Sequence, residues 1–203
     1  MDFNIQNIGM KFLKCLLAVF FIILIIIPSW AQNSKYENEK YILVMDVQQA
    51  WTESTLSKKE CSQMIKSINS IIEKSNPEKI IYITSEVNLK FLSVSWKGIK
   101  TKTLSNNNFD EKLLLVNQQI IDKKSANAFE SEELLELLNK NNVSDVLVIG
   151  LLAEECVTET VKGGLEKDFK IFISSKAIGG KSKRSKQKAL NTLLELGAQE
   201  LTF

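Results

Sequence analysis

Residues 145–164 read DVLVIGLLAEECVTETVKGG. Behind Asp145 the chain is an unbroken aliphatic run, the composition of a strand buried on both faces. Gly150 closes the run, the spacing beyond it turns helical, and Cys156 stands at the changeover. A strand feeding a helix is half of a βαβ unit, so this stretch predicts a parallel sheet covered by helices. It also puts a thiol at a helix N-terminus, where partial positive charge and free N–H groups favour a thiolate. On this stretch alone Cys156 is open to three readings: a packed core thiol, half of a disulfide, or a nucleophile.

Working outward, the alternation continues. YILVMDV (41–47) is a second doubly buried strand, interrupted by Asp46. SKKECSQMIKSINSIIEKSN (57–76) repeats its apolar residues at helical spacing, with Ser57 as N-cap and Asn76-Pro77 as the stop. KIIYITS (79–85) is the next strand. Residues 86–118 show no clear period, and FDEKLLLVNQQIIDK (109–123) suggests a turn or short helix and then a strand ending near Ile121. SEELLELLNKNN (131–142) is an amphipathic helix opened by Ser131, and FKIFISS (169–175) is the fifth strand. A last helix runs from about Lys183 to Leu196, with Gly197 as its cap, and AQELT (198–202) supplies an edge strand. The expectation is an α/β chain: a three-layer α/β/α domain over residues 41–203 with a mostly parallel, roughly six-stranded sheet. In such sheets function collects beyond the carboxyl ends of the strands. Asp46, Lys123 and Cys156 each fall at or just past such an end.

Composition narrows the chemistry. Charged residues are 25% of the 203, net charge is +2 and histidine is absent. A chain without imidazole excludes Ser-His-Asp and Cys-His catalysis and the usual zinc sites, so no metal and no cofactor is expected. The N-terminus carries Lys11 and Lys14, an apolar run from Leu16 to Ile27, then Pro28 and Ser29-Trp30-Ala31. That order predicts a secretory signal over 1–31, followed by a polar leader over 32–40 and export to the periplasm or beyond. The run is shorter than the roughly 20 residues a spanning helix needs, which disfavours an uncleaved anchor, and no stable membrane association is expected after cleavage. Two cysteines remain beyond residue 31, Cys61 and Cys156, and in an oxidising compartment a pair of that kind often bridges. The basic run GGKSKRSKQK (179–188) has no interleaved aromatics and reads as a solvated loop and helix start, not a nucleic-acid surface.

The chain resembles the isochorismatase-like cysteine hydrolases, whose relatives include nicotinamidases and N-carbamoylsarcosine amidohydrolase. YILVMDVQQAW is similar to that family's first strand, with Asp-x-Gln at Asp46 and Gln48. IIDKKSANAF is similar to its strand-end lysine segment; aligning Ala128-Phe129 puts Lys123 on the lysine, with Lys124 as the fallback register. VIGLLAEECVTET matches a block that ends Cys-Val-x-x-Thr, giving Gly150, Cys156, Val157 and Thr160. The departures are Asn127 where serine is usual, Gly163-Gly164 where small residues are usual, Lys176 where an acid is common, and no histidine for the metal of the nicotinamidase branch.

The resemblance implies an Asp46-Lys123-Cys156 triad that hydrolyses a small-molecule, non-peptide amide through a thioester. It implies an oxyanion hole from the backbone N–H groups of Leu152 and Cys156, and a cis peptide at Leu151-Leu152. It also implies relatives that assemble as homo-oligomers. Three influences are expected to ionise Cys156: the helix terminus, Lys123 and Asp46 as proton acceptor. Glu154 and Glu155 oppose that, and are expected to point away from the sulfur. Gln48, Trp51 and Phe129 are placed at a pocket wall, with ordinary core packing an equal reading for the two aromatics. The alternative to catalysis is an idle protein of the same fold that serves as a binding or interaction module.

Overall fold

A computed structural model describes residues 38–86, 89–95, 98–104 and 108–203, with side chains described for 38–86 and 108–203. The expected export segment 1–31 and most of the leader lie outside the described residues. Among the described residues, no helix is long and apolar enough to cross a membrane.

The order is β1 (Tyr41–Met45), α1 (Gln49–Thr55), α2 (Lys58–Glu73), β2 (Ile80–Ser85), β3 (Leu89–Ser95), β4 (Gly98–Leu104) and β5 (Ile120–Lys123). There follow α3 (Glu132–Lys140), β6 (Asp145–Gly150), α4 (Cys156–Glu166), β7 (Lys170–Ile178), α5 (Lys183–Glu195) and β8 (Gln199–Glu200). Six strands form one sheet in the order β5-β2-β1-β6-β7-β8, and every pairing in it is parallel. The β3–β4 antiparallel hairpin stands outside this sheet. It occupies the stretch where the sequence shows no clear period.

Alternation along the strands builds both cores. Leu43, Met45, Ile81, Ile83, Val146 and Val148 face α3, α4 and α5. Their neighbours Ile42, Val44, Ile80, Tyr82, Leu147 and Ile149 face α2. Each fully buried aliphatic chain of this kind contributes roughly 1.5–3 kcal/mol of transfer free energy, which is why these strands read as continuous apolar runs. Caps fix the helix starts: Ser57 accepts from Glu60 N, Ser131 from Leu134 N and Ser182 from Ser185 N.

Register then aligns the strand ends on one rim. Met45 of β1 sits opposite Ile83 of β2 and Gly150 of β6, while Ser85 of β2 sits opposite Lys123 of β5. Gly150 adopts φ +115°, and a Cβ there would lie 2.2 Å from Met45 O. Only glycine lets β6 end so close to β1 and turn away.

Candidate active site

Asp46 follows β1 directly and is anchored by its own backbone, whose N–H donates to Ile83 O at 2.9 Å. Its φ of 51° is left-handed, a region that aspartate and asparagine tolerate better than most residues. Lys123 is the last residue of β5, where the inside–outside alternation buries Ile121 and Lys123 and leaves Asp122 and Lys124 exposed. The strand therefore runs past Ile121, and Lys123, not Lys124, points inward. Cys156 is the first residue of α4 and is half-buried.

The three side chains meet. Lys123 Nζ lies 3.1 Å from Asp46 Oδ2 and donates to Cys156 Sγ at 3.3 Å and to Ser125 O at 3.1 Å. The Asp46 and Lys123 side chains are only 4% and 3% exposed, so this is a buried ion pair with a thiol on its open side. Lys123 approaches Asp46 as a charge contact off the axis of an aligned hydrogen bond, and both carboxylate oxygens keep acceptor capacity while buried.

The electrostatics differ from the expectation of a pre-formed thiolate. Burial raises the Asp46 carboxyl above the ordinary carboxylate range, while Lys123, the Cys156 thiol and the Ser85 side chain pull it down. Burial, then the charge of Asp46, push the Cys156 thiol up to about 11 against the pull of Lys123. The thiol therefore holds its proton beside a buried carboxyl whose own affinity for a proton is raised. An arrangement of this kind can pass the thiol proton to the carboxyl, with the neighbouring ammonium steadying the charge.

The turn between β6 and α4 has the cis peptide at Leu151-Leu152. Its N–H groups divide cleanly. Those of Leu151, Ala153, Glu155 and Val157 donate to Met45, Gly179, Leu152 and Leu152 carbonyls. Among the described residues, those of Leu152, Glu154 and Cys156 have no acceptor. Glu154 and Glu155 turn towards the β7–α5 loop: Glu154 accepts from Lys181 N and Ser185 Oγ, and Glu155 pairs with the Lys181 ammonium.

Two of the proposed pocket residues are placed otherwise. Gln48 is fully buried, and its amide clamps two strand ends, donating to Ser85 O and accepting from Ser85 N, each at 3.0 Å. Phe129 is also fully buried; it packs on Phe169 with centroids 5.0 Å apart, beneath Gly164, and belongs to the core under α4. Trp51 is partly buried on α1 against the α2-side core, with its indole N–H buried and unpartnered. Among the described residues both cysteines, Cys61 and Cys156, are free, and Cys61 sits on α2 with Sγ 3.8 Å from Asp110 Oδ2. The bridged reading is overturned.

Two supporting residues had no role assigned from sequence. Ser85, a polar residue ending an apolar strand, carries the same local signal as Asp46. Thr160 is fully buried on α4; its hydroxyl accepts from Ala128 N at 3.0 Å and donates to Ala126 O at 3.3 Å. It ties the helix that bears Cys156 to the loop that follows Lys123.

The departures at Asn127 and Gly163 are one feature. A Cβ at Gly163 would fall 2.2 Å from Asn127 Nδ2, and Asn127 Oδ1 accepts from Phe129 N at 2.9 Å. The longer side chain occupies the space that the glycine vacates. Gly163→Ala gains about 1 kcal/mol of helix propensity, yet it displaces this cap, at about 1–2 kcal/mol. The expected result in urea unfolding is a neutral or destabilising change in the native chain. In an Asn127→Ser background, where the shorter side chain clears the space, the same change becomes stabilising. Additive effects of the two substitutions would remove the coupling.

Comparison with known proteins agrees with this architecture. The family model described as Isochorismatase domain matches residues 40–202. A secreted isochorismatase effector of Verticillium dahliae is 20% identical over 143 residues, 70% of this chain and 73% of its own. The pyrazinamidase of Pyrococcus horikoshii, solved in complex with zinc, superposes with TM-score 0.64 at 22% identity, over 81% of this chain and 99% of that one. N-carbamoylsarcosine amidase from Thermoplasma acidophilum superposes with TM-score 0.61 at 16% identity, over 80% and 95%. The donor set here does not suit zinc: the chain has no histidine, and the described residues hold no group of three or more His, Cys, Asp or Glu placed for a metal.

Proposed function

This chain belongs to the isochorismatase family and has its hydrolase fold, and on that premise we propose that it is an exported cysteine hydrolase of small, non-peptide amides. One observation carries the reading: Lys123 Nζ stands 3.1 Å from Asp46 Oδ2 and 3.3 Å from Cys156 Sγ in a nearly dry recess at the strand ends. Cys156 Sγ attacks the amide carbonyl as its proton passes to Asp46. The tetrahedral oxyanion takes hydrogen bonds from the free N–H groups of Leu152 and Cys156. Asp46 returns the proton to the departing nitrogen, and the C–N bond breaks to leave a thioester. Asp46 then takes a proton from water, hydroxide adds to the thioester, and the acid leaves as the thiol is restored. Lys123 favours the ionised form of Asp46 between these transfers, against the burial that favours the neutral one. Export rests on the signal pattern of residues 1–31 and on likeness to a relative described as secreted.

The test is a screen of small amides for ammonia or amine release, with Cys156→Ala as control. The expected result is turnover of at least one amide by the native chain and none by the variant, with an acyl adduct on Cys156 trapped at low pH. Equal rates for the two proteins, or an adduct elsewhere, would sink the reading. Failure of every amide, together with a Cys156 inert to acylating agents, would leave the idle binding module.

A further inference from the structure

Behind the nucleophile turn lies a second cavity that the mechanism does not use. It has a volume of 470 Å³ and opens between α2 and the segment from the end of β7 into α5. That size suits a single ring or short chain with a charged head. Its apolar lining includes Leu56, Met64 and Ile178. The polar lining is dominated by one sign of charge: Lys66, Lys176, Lys183 and Lys186 contribute ammonium groups, against the single carboxylate of Glu60.

Among the described residues, none of the four ammonium groups is in an ion pair or hydrogen bond; the neighbouring Lys181, by contrast, is held by Glu155. Glu60 accepts from the Ser57 hydroxyl at 2.6 Å, and the more distant charges of Lys183 and Lys186 also act on it. Lys186 is half-buried, and burial pulls its ammonium below the usual lysine range more strongly than Glu200, Glu60 and Glu154 hold it up. The cavity also meets the first turn of α5, the positive end of that helix's dipole. A solvated basic face does not need an apolar floor, and an apolar groove does not need four lysines. Together they describe one kind of ligand.

The geometry points to a binding site for a small organic anion, an apolar body bearing a phosphate or similarly charged head, seated on Leu56, Met64 and Ile178 and held by Lys66, Lys176, Lys183 and Lys186. The site is separate from the triad and does not depend on the proposed amide chemistry. Its backbone is shared with the nucleophile turn, since Gly179 accepts from Ala153 N at 2.8 Å and donates to Gly150 O at 2.9 Å.

Phenyl phosphate is a suitable probe. Calorimetric titration of the full chain is expected to give saturable, salt-sensitive binding that Cys156→Ala leaves unchanged. Backbone amide shifts should concentrate at residues 176–186. Lys176→Ala/Lys186→Ala is expected to weaken binding about tenfold, the size of two partly exposed charge contacts. These positions lie on the surface or at half burial, and the circular dichroism of the double variant should match that of the native chain. Inorganic phosphate, lacking the apolar body, should bind several-fold more weakly. Affinity unchanged in the double variant, equal affinity for inorganic phosphate, or no binding at 10 millimolar (roughly the weak end of small-ligand affinity) would each overturn the assignment.

Discussion

Lys123→Met destabilises the chain by about 4 kcal/mol at neutral pH, and the penalty shrinks as the solution is made acidic. The substitution keeps length and apolar stem but leaves the Asp46 carboxylate buried without its counter-charge, the costly way to break a buried pair. The chain escapes by protonating Asp46. From an ordinary carboxyl value of 3.8, that costs about 4 kcal/mol at pH 7 and about 1.6 kcal/mol at pH 5, at about 1.36 kcal/mol per unit. The sign follows from linkage: a folded-state value raised above the unfolded one gives stability that is present below the unfolded value and lost as pH rises through the folded one. Urea midpoints of native and variant protein at the two pH values measure the difference. Asp46→Asn/Lys123→Met, which removes both charges and keeps a residue suited to φ 51° at position 46, recovers most of the loss and none of the hydrolysis. A penalty independent of pH, or no recovery in the double variant, would mean that the pair is not what Lys123 contributes.

What the sequence disclosed and what it withheld divide along local and non-local lines. The strands that precede Asp46 and Cys156 are buried on both faces, so their ends are visible as the close of an apolar run. β5 lies at the edge, and its alternating burial shortens the readable run. Its true end at Lys123 is set by pairing with Ser85, which no local pattern records. The β3–β4 hairpin escaped for a related reason: β4 alternates lysine with threonine and β3 mixes apolar residues with serine and lysine, so neither is the unbroken apolar run that marks a central strand. Phe129 has one local pattern for two fates, pocket wall or core, and the choice is made by α4, where Gly164 lacks the Cβ that would strike its ring. The ionisation of Cys156 shows the same limit. A helix terminus and a nearby lysine argue for a low value, and burial with Asp46, brought together only by the sheet, reverses it.

Under the proposed mechanism, Asp46→Asn separates two roles of one carboxylate, because it moves hydrolysis and thiol acidity in opposite directions. As the proposed acceptor of the Cys156 proton, Asp46 cannot be replaced by an amide, and turnover of any amide found in the screen is expected to fall by about 10²–10⁴-fold. As a negative charge beside the sulfur, it disfavours the thiolate. Removing it, with Lys123 left to act on sulfur alone, therefore lowers the thiol from its native value of about 11. Alkylation by iodoacetamide, followed against pH by mass spectrometry of the Cys156 peptide, should show its midpoint shifting down in the variant. In the native chain kcat/KM should rise with pH through the Asp46 value, above the 3.8 of an ordinary carboxyl because of burial, and this acid limb should vanish in the variant. Asparagine tolerates the left-handed backbone at position 46, so a loss of activity with an intact fold is a loss of chemistry. If thiol reactivity and hydrolysis declined together, Asp46 would be holding the sulfur in place instead of taking its proton, and a different base would have to be found among residues that the triad does not include.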